Sequence, residues 1–264
     1  MMKAEQLQRV RRGKRNQLIL FLAFLAALTV WSAIGTNFTP NALWSGIGDG
    51  ARFLFVDLMP PKTAELPSLI GPALDTIYMS FVAMVIGTLI ASVLSIFAAA
   101  TTSPHPVLQV GMRAASAMLR NIPVIIWTIL LVASFGLGKL VGTMSLIIVS
   151  IGMLVRCFAE SLEEIDMGQV EALRSTGASY PQVITQAVLP QFLPSLIGWS
   201  LFNLEINVRA STIVGMVGGG GLGFTIQSGL KLFQYKEVSM AVLLVLAIVL
   251  ATEFLTNRIR ERII

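Results

Sequence analysis

Long apolar runs alternate with short polar breaks along the chain. The runs are Leu18–Thr36, Leu74–Ala100, Ile122–Leu137, Leu140–Cys157, Phe192–Val217 and Val238–Thr256. A helix needs about 20 mostly apolar residues to cross about 30 Å of hydrocarbon. The pattern therefore predicts six transmembrane helices. The third run is short, but the amphipathic stretch Val107–Leu119 precedes it and would extend it past a break at Pro123. The link Thr101–Pro106, "TTSPHP", reads as a tight turn with helix-breaking prolines. The longest break, Asn37–Gly71, is rich in Pro and Gly and contains "RFLFVDLM", Arg52–Met59. That run reads either as an interfacial helix or as a short packed lid. No break is long enough for a separate soluble domain, so the expected fold class is an all-α membrane protein.

One polar break is patterned rather than plain. In "EALRSTGASYPQVITQAVLP", Glu171–Pro190, Asp166 lies just upstream and suits a helix N-cap, with Gln169 three residues on. Gly177 suits the left-handed position that ends such a helix. Ser179 suits a second N-cap, with Gln182 three residues later and Pro181 in the first turn. Leu189–Pro190 marks re-entry to the membrane. The segment reads as two short helices meeting at Gly177. Its apolar residues Val170, Leu173, Val183 and Ile184 exceed what a solvated loop needs. They suit either docking in a partner's groove or packing on the chain's own helix ends.

Composition narrows the class. Of 264 residues, 55% are hydrophobic and 12% charged, against about 25% charged in soluble domains. The net charge of +5 is unevenly spread. Lys3, Arg9, Arg11, Arg12, Lys14 and Arg15 precede the first run, and Arg258, Arg260 and Arg262 follow the last. With six spans, Arg113, Arg120, Arg156 and Arg174 fall on the same side as both termini, and Arg52, Lys62, Lys139, Lys231 and Lys236 on the other. The bias places both termini in the cytoplasm. The basic start is read as a topology signal, not as a nucleic-acid site. It is not a cleaved signal peptide, since its apolar stretch is too long and lacks a clear cleavage site.

Catalytic chemistry finds little support. Cys157 and His105 are each the sole residue of their type, which excludes a disulfide framework and a thiolate metal site. The chain has no G-x-S-x-G, and Glu205 is the acid deep in a core run, so an intramembrane hydrolase lacks its groups. No G-x-x-x-x-G-K-[ST] phosphate loop is present. Gly218, Gly220 and Gly223 match G-x-G-x-x-G, but no strand precedes them, so they predict a backbone bend at a membrane face.

The residues Glu171, Ala172, Gly177, Leu189 and Pro190 stand at the spacing of the EAA loop of ATP-binding-cassette importer permeases, which the segment resembles. Leu173 replaces the third-position Ala, and Ala187 stands where Ile is common. From about Gly71 to Arg262 the chain resembles the type I permease core, with one extra N-terminal helix. "LRNIPVIIW" (Leu119–Trp127) and "NLEINVRASTIVGMVGGGGLG" (Asn203–Gly223) are similar to permeases of phosphonate importers. The resemblance implies residues 1–71 as tail, first span and extracytoplasmic segment, and 72–264 as the core with its coupling loop at 164–190. It also implies a bacterial cell membrane, a second copy of the chain, two ATPase subunits and an extracytoplasmic binding protein. ATP and Mg would be bound by the ATPases, with no cofactor in this chain. Glu171, Ala172, Leu173, Gly177, Leu189 and Pro190 would couple to the ATPase. Phosphate, phosphite or a small amino acid are the alternative cargoes; a channel or scaffold without an ATPase is the rival class.

Charges within a span are costly and usually face a bundle interior or cavity. Glu205 and Arg209 stand at i and i+4, spaced to pair. Ser200, Asn203, Asn207 and Ser211 form a second stripe on nearly the opposite side. One face would line a route for anions and the other would lock the helix to a neighbour. Spacing does not choose between a structural clamp and an anion route for the Glu205–Arg209 pair.

Overall fold

The computed structural model describes residues 2–263; the side chains of residues 2–12, 40, 42 and 180 lie outside it, and with them the basic groups of Lys3, Arg9, Arg11 and Arg12. The described residues are helical throughout their regular structure and form two compact units, parting between Asp57 and Leu58.

The first unit holds α1 (Met2–Gly35) and α2 (Pro40–Arg52), the latter running into a π-helical turn, Phe53–Asp57. From Gly13 to Gly35, α1 is long and apolar enough to span a membrane. The interfacial run expected from Arg52 thus begins inside a helix that starts twelve residues earlier. Asn37, in the left-handed region at φ 52°, turns the chain between the two helices, a conformation that Asn tolerates better than most residues.

The second unit contains α3 (Leu66–Ala98), α4 (Pro106–Asn121), α5 (Val124–Phe135), α6 (Lys139–Glu163), α7 (Met167–Ser175), α8 (Tyr180–Val183), α9 (Leu189–Val214), α10 (Gly221–Lys231) and α11 (Tyr235–Ile263). Residues 58–71, grouped by sequence with the N-terminal segment, belong to this unit. Four of its helical runs are long and apolar enough to span a membrane by themselves. The expected third span is different. Helices α4 and α5 are bent by 84° at Ile122–Pro123, so they form a broken span or a re-entrant pair rather than one extended rod. Pro123 lacks the N–H that would continue the helix, and it pushes Ile122 to an extended ψ of 120°.

The core is built on close helix approach. Ala83, Gly87, Ala91 and Ser95 recur every fourth residue on α3 and are all buried. A Cβ on Gly87 would stand 2.8 Å from Ser150 Cβ on α6. Small residues let backbones approach where lipid supplies no hydrophobic drive between helices. Toward the end of the bundle that carries α7, the seam fills with Leu154, Phe158, Leu162 and Phe192. Phe158 and Phe192 meet edge to face at 5.6 Å.

The glycine run after α9 bends the chain as its composition predicts. Gly218, Gly220 and Gly221 have φ of 106°, 86° and 67°, values that other residues rarely adopt. The bend does not lead into an open loop. It starts α10, whose Leu222 N–H donates to Thr76 Oγ1 of α3 at 3.0 Å. At this end Lys62 Nζ lies 2.7 Å from Glu65 and 3.3 Å from Glu237, bracketing the starts of α3 and α11. The hydrogen bond to Glu65, then that to Glu237, raises the Lys62 pKa above its ordinary value.

Candidate functional site: the α7–α8 loop and the polar faces of α9

The loop between α6 and α9 is a small folded body. Asp166 caps α7, its Oδ1 accepting from the Gly168 N–H at 2.9 Å. The capping box expected with Gln169 does not form. The Asp166 N–H donates instead to Gln191 Oε1 at 3.0 Å, which braces the start of the loop on α9. Gly177 turns the chain with φ 79°, as its place after α7 predicts. Gln182 Oε1 accepts from both the N–H and the hydroxyl of Ser179 at 2.8 Å, the reciprocal half of a capping box.

The second helix of the loop is not a separate short element. Tyr180–Val183 continues through a π-helical turn, Ile184–Val188, straight into α9. The physical reason lies at Pro190, which has no N–H to return to the Gln186 carbonyl. The turn shifts to i→i+5 bonding, with Leu189 N–H reaching Ile184 O. Leu189–Pro190 therefore marks a register change within one helix.

The apolar residues of the loop serve the loop itself. Val170, Val183 and Ala187 are buried together, with Leu173 packed against them. Glu171, Ala172, Gly177, Leu189 and Pro190 remain exposed on the outside. A fixed knob with a mixed polar and apolar outer face results, its shape held from within.

On α9 the two polar faces separate. The amide Nδ2 of Asn207 donates to Asn203 Oδ1 at 3.0 Å and to Ser150 Oγ of α6 at 3.1 Å. Thr88 of α3 donates to Ser200 at 2.9 Å. Ser211 is buried and donates to Val208 O. The stripe Ser200–Asn203–Asn207–Ser211 is thus drawn into contacts with α3, α6 and its own helix.

The charged face makes a partnership that spacing did not indicate. Glu205 is 7% exposed. Its Oε1 accepts from Arg260 at 3.0 Å and from the Thr256 hydroxyl at 2.5 Å, both on α11. Arg209, the expected partner, stands 3.8 Å from Glu205 and 3.6 Å from Glu253, with half its side chain exposed. Arg260, one of the basic residues that follow the last apolar run, also reaches back to α9. The signal available was Thr256 and Arg260 at i and i+4 on one face of α11. Trp199, Phe202, Arg209 and Ile213 fall on one exposed side of α9, so Arg209 sits in an unburied, mostly apolar stripe.

The comparisons fit this architecture. Residues 91–264 match the family described as binding-protein-dependent transport system inner membrane component. The chain is 38% identical over 205 residues to a phosphite transport system permease of Stutzerimonas stutzeri, covering 78% of this chain and 74% of that one. It is 36% identical over 238 residues to a phosphate-import permease of Mycolicibacterium smegmatis, covering 88% of this chain but 44% of that longer protein. A chain in inward-facing structures of the MetNI methionine ABC transporter shares the fold, with a TM-score of 0.66 at 24% identity, over 77% of this chain and 99% of that one. The chain therefore belongs to the binding-protein-dependent transport system inner membrane component family and is the permease subunit of a bacterial ABC importer, a transport subunit of the inner membrane.

Proposed function

We infer that two copies of this chain form the translocation route of an importer for phosphorus oxyanions of the phosphonate type. An extracytoplasmic binding protein delivers the anion. Two ATPase subunits, which hold ATP and Mg, drive the cycle from the cytoplasmic side. The observation that carries the reading is the likeness, above 35% identity, to permeases named for phosphite and phosphate. Arg209 supports it: a guanidinium held loosely on an exposed face of α9 can meet an oxyanion with two donors at once.

Glu171, Ala172, Leu173, Gly177, Leu189 and Pro190 form or support the knob that engages the ATPase. Closing of the ATPases moves the knob, and the continuous helix from Tyr180 to Val214 carries that movement to Arg209. The π turn at Ile184–Val188 is where this lever can flex.

The test is uptake of labelled methylphosphonate, phosphite, phosphate and methionine by proteoliposomes containing the assembled transporter and its binding protein. Competitive uptake of phosphorus oxyanions without methionine is expected. Methionine uptake alone would overturn the substrate class and leave the importer architecture in place. Gly177→Val tests coupling: the strain of a β-branched residue at φ 79° reshapes the knob. The variant is expected to reach the membrane, yet lose substrate-stimulated ATP hydrolysis. Wild-type stimulation would remove the knob from the coupling role.

A further inference from the structure

We propose that the cavity between α4 and α6 at the loop end of the bundle is a binding site for a phosphate-type tetrahedral oxyanion, gripped by Arg120 together with Arg113 and Arg156. The cavity measures about 240 Å3 and lies apart from Arg209 and the α9 stripe. Ser116, Ala117 and Glu160 also line it. A water takes about 30 Å3 of liquid, so the space holds several waters or one tetrahedral anion. Short side chains at Ala98, Ala117 and Ala159 leave this room.

The charges around it do not cancel. Arg113 Nε donates to Ala98 O at 2.8 Å and its Nη2 to Glu163 at 2.5 Å. Arg156 Nε donates to Glu160 at 2.6 Å. Among the described residues, no hydrogen bond or ion pair engages Arg120, although it is half-buried. Three guanidiniums thus face two carboxylates, and each bonded carboxylate also fixes the orientation of its arginine. Glu163 Oε1 is further held by the Ala100 N–H at the end of α3. Ser116 is spent on the Gly152 carbonyl at 2.7 Å, so arginine is the donor left for a ligand. A planar fork of N–H donors suits a tetrahedral oxyanion better than a chloride.

The location gives the site meaning. Arg156 and Glu160 lie within the last two turns of α6, close to where the chain enters α7. Two sources present the same chemistry there: the free anion in transit and the headgroup of an anionic lipid. The first source rests on the oxyanion reading above; the second does not.

The experiment uses the full-length permease, delipidated in neutral detergent, with inorganic phosphate as probe at constant ionic strength. Saturable thermal stabilisation by phosphate, absent with chloride, is expected. Arg120→Gln should weaken it about tenfold, and Arg120→Lys less. Ala117→Leu fills the cavity with every arginine retained, and should abolish the effect even if Arg120→Gln folds poorly. Stabilisation by phosphatidylglycerol but not phosphate, with the same dependence on Arg120 and Ala117, assigns the site to a lipid headgroup. If neither probe shows that dependence, the site is overturned. A chain that imports no phosphorus oxyanion yet binds phosphate through Arg120 would remove the transport reading alone. A chain that imports them without Arg120-dependent binding of either probe would remove the site alone.

Discussion

The two polar faces of α9 solve the same problem in opposite ways. The amide face is neutral and is met by neutral groups: the Asn207 amide donates to Asn203 on its own helix and to Ser150 across the seam. The charged face cannot satisfy itself. Glu205 is buried, and the arginine one turn along its own helix reaches it only as a long ion pair at 3.8 Å. Its charge is met by Arg260 and Thr256 from α11. The difference teaches that a buried amide can be served by neutral hydroxyls and amides, whereas a buried carboxylate demands an opposite charge from wherever the fold can bring one. It also leaves Arg209 with its side chain half free, which is why the transport reading falls on that residue.

The largest effect should come from Arg260. Arg260→Ala leaves buried Glu205 with the Thr256 hydroxyl and the long 3.8 Å contact to Arg209, at an expected loss of about 3 kcal/mol. Thermal unfolding in detergent reads it. Glu205→Gln with Arg260→Gln should recover most of the loss, because no lone charge remains. A harmless Arg260→Ala would break the comparison.

The amide face should yield less. Asn207→Leu removes the bridge to Ser150, and interhelical hydrogen bonds in membranes are worth about 0.6–2 kcal/mol. Ser150→Ala combined with it should add little, since both act on one bridge. Full additivity would show that the two residues act separately. Asn207→Asp should cost more than Asn207→Leu, because it buries a charge without a cation.

Arg209 should separate stability from transport. Arg209→Gln is expected to change stability by about 0.5 kcal/mol or less, as for an exposed pair, yet to reduce oxyanion uptake per assembled complex. Glu205→Gln with Arg209→Gln should transport equally poorly. Near-normal uptake by the double variant would move the anion route away from Arg209 and toward Asn203, Asn207 and Ser211.

The smallest effect is the Lys62 bracket, far from both faces. Its pKa is raised in the fold by Glu65 and Glu237. The contribution is therefore complete below the ordinary lysine value of 10.5 and fades as pH rises through the raised value. Lys62→Met should lower the melting temperature slightly at neutral pH and remove its dependence on pH in the alkaline range. An unchanged alkaline profile in the variant would count against the bracket.

Much of this was legible in the chain itself. Apolar runs long enough to span a membrane placed the main helices, because the length of such a run is set by bilayer thickness and not by neighbours. Asp166, Gly177 and the Ser179–Gln182 pair placed the loop, because caps are local hydrogen bonds within a few residues. Gly218 and Gly220 announced a bend, because positive φ excludes most side chains, whereas Gly223 falls inside α10. Tertiary structure decided what required two distant segments. The 84° break at Pro123 was visible as a break, but its angle depends on what α4 and α5 pack against. Gln191 took the Asp166 N–H from the expected Gln169 because α9 passes beside the loop. Arg260 reached Glu205 across 55 residues, a partnership that no local spacing encodes. Only packing brings α11 to that side of α9, and only that packing gives Glu205 a closer cation than Arg209.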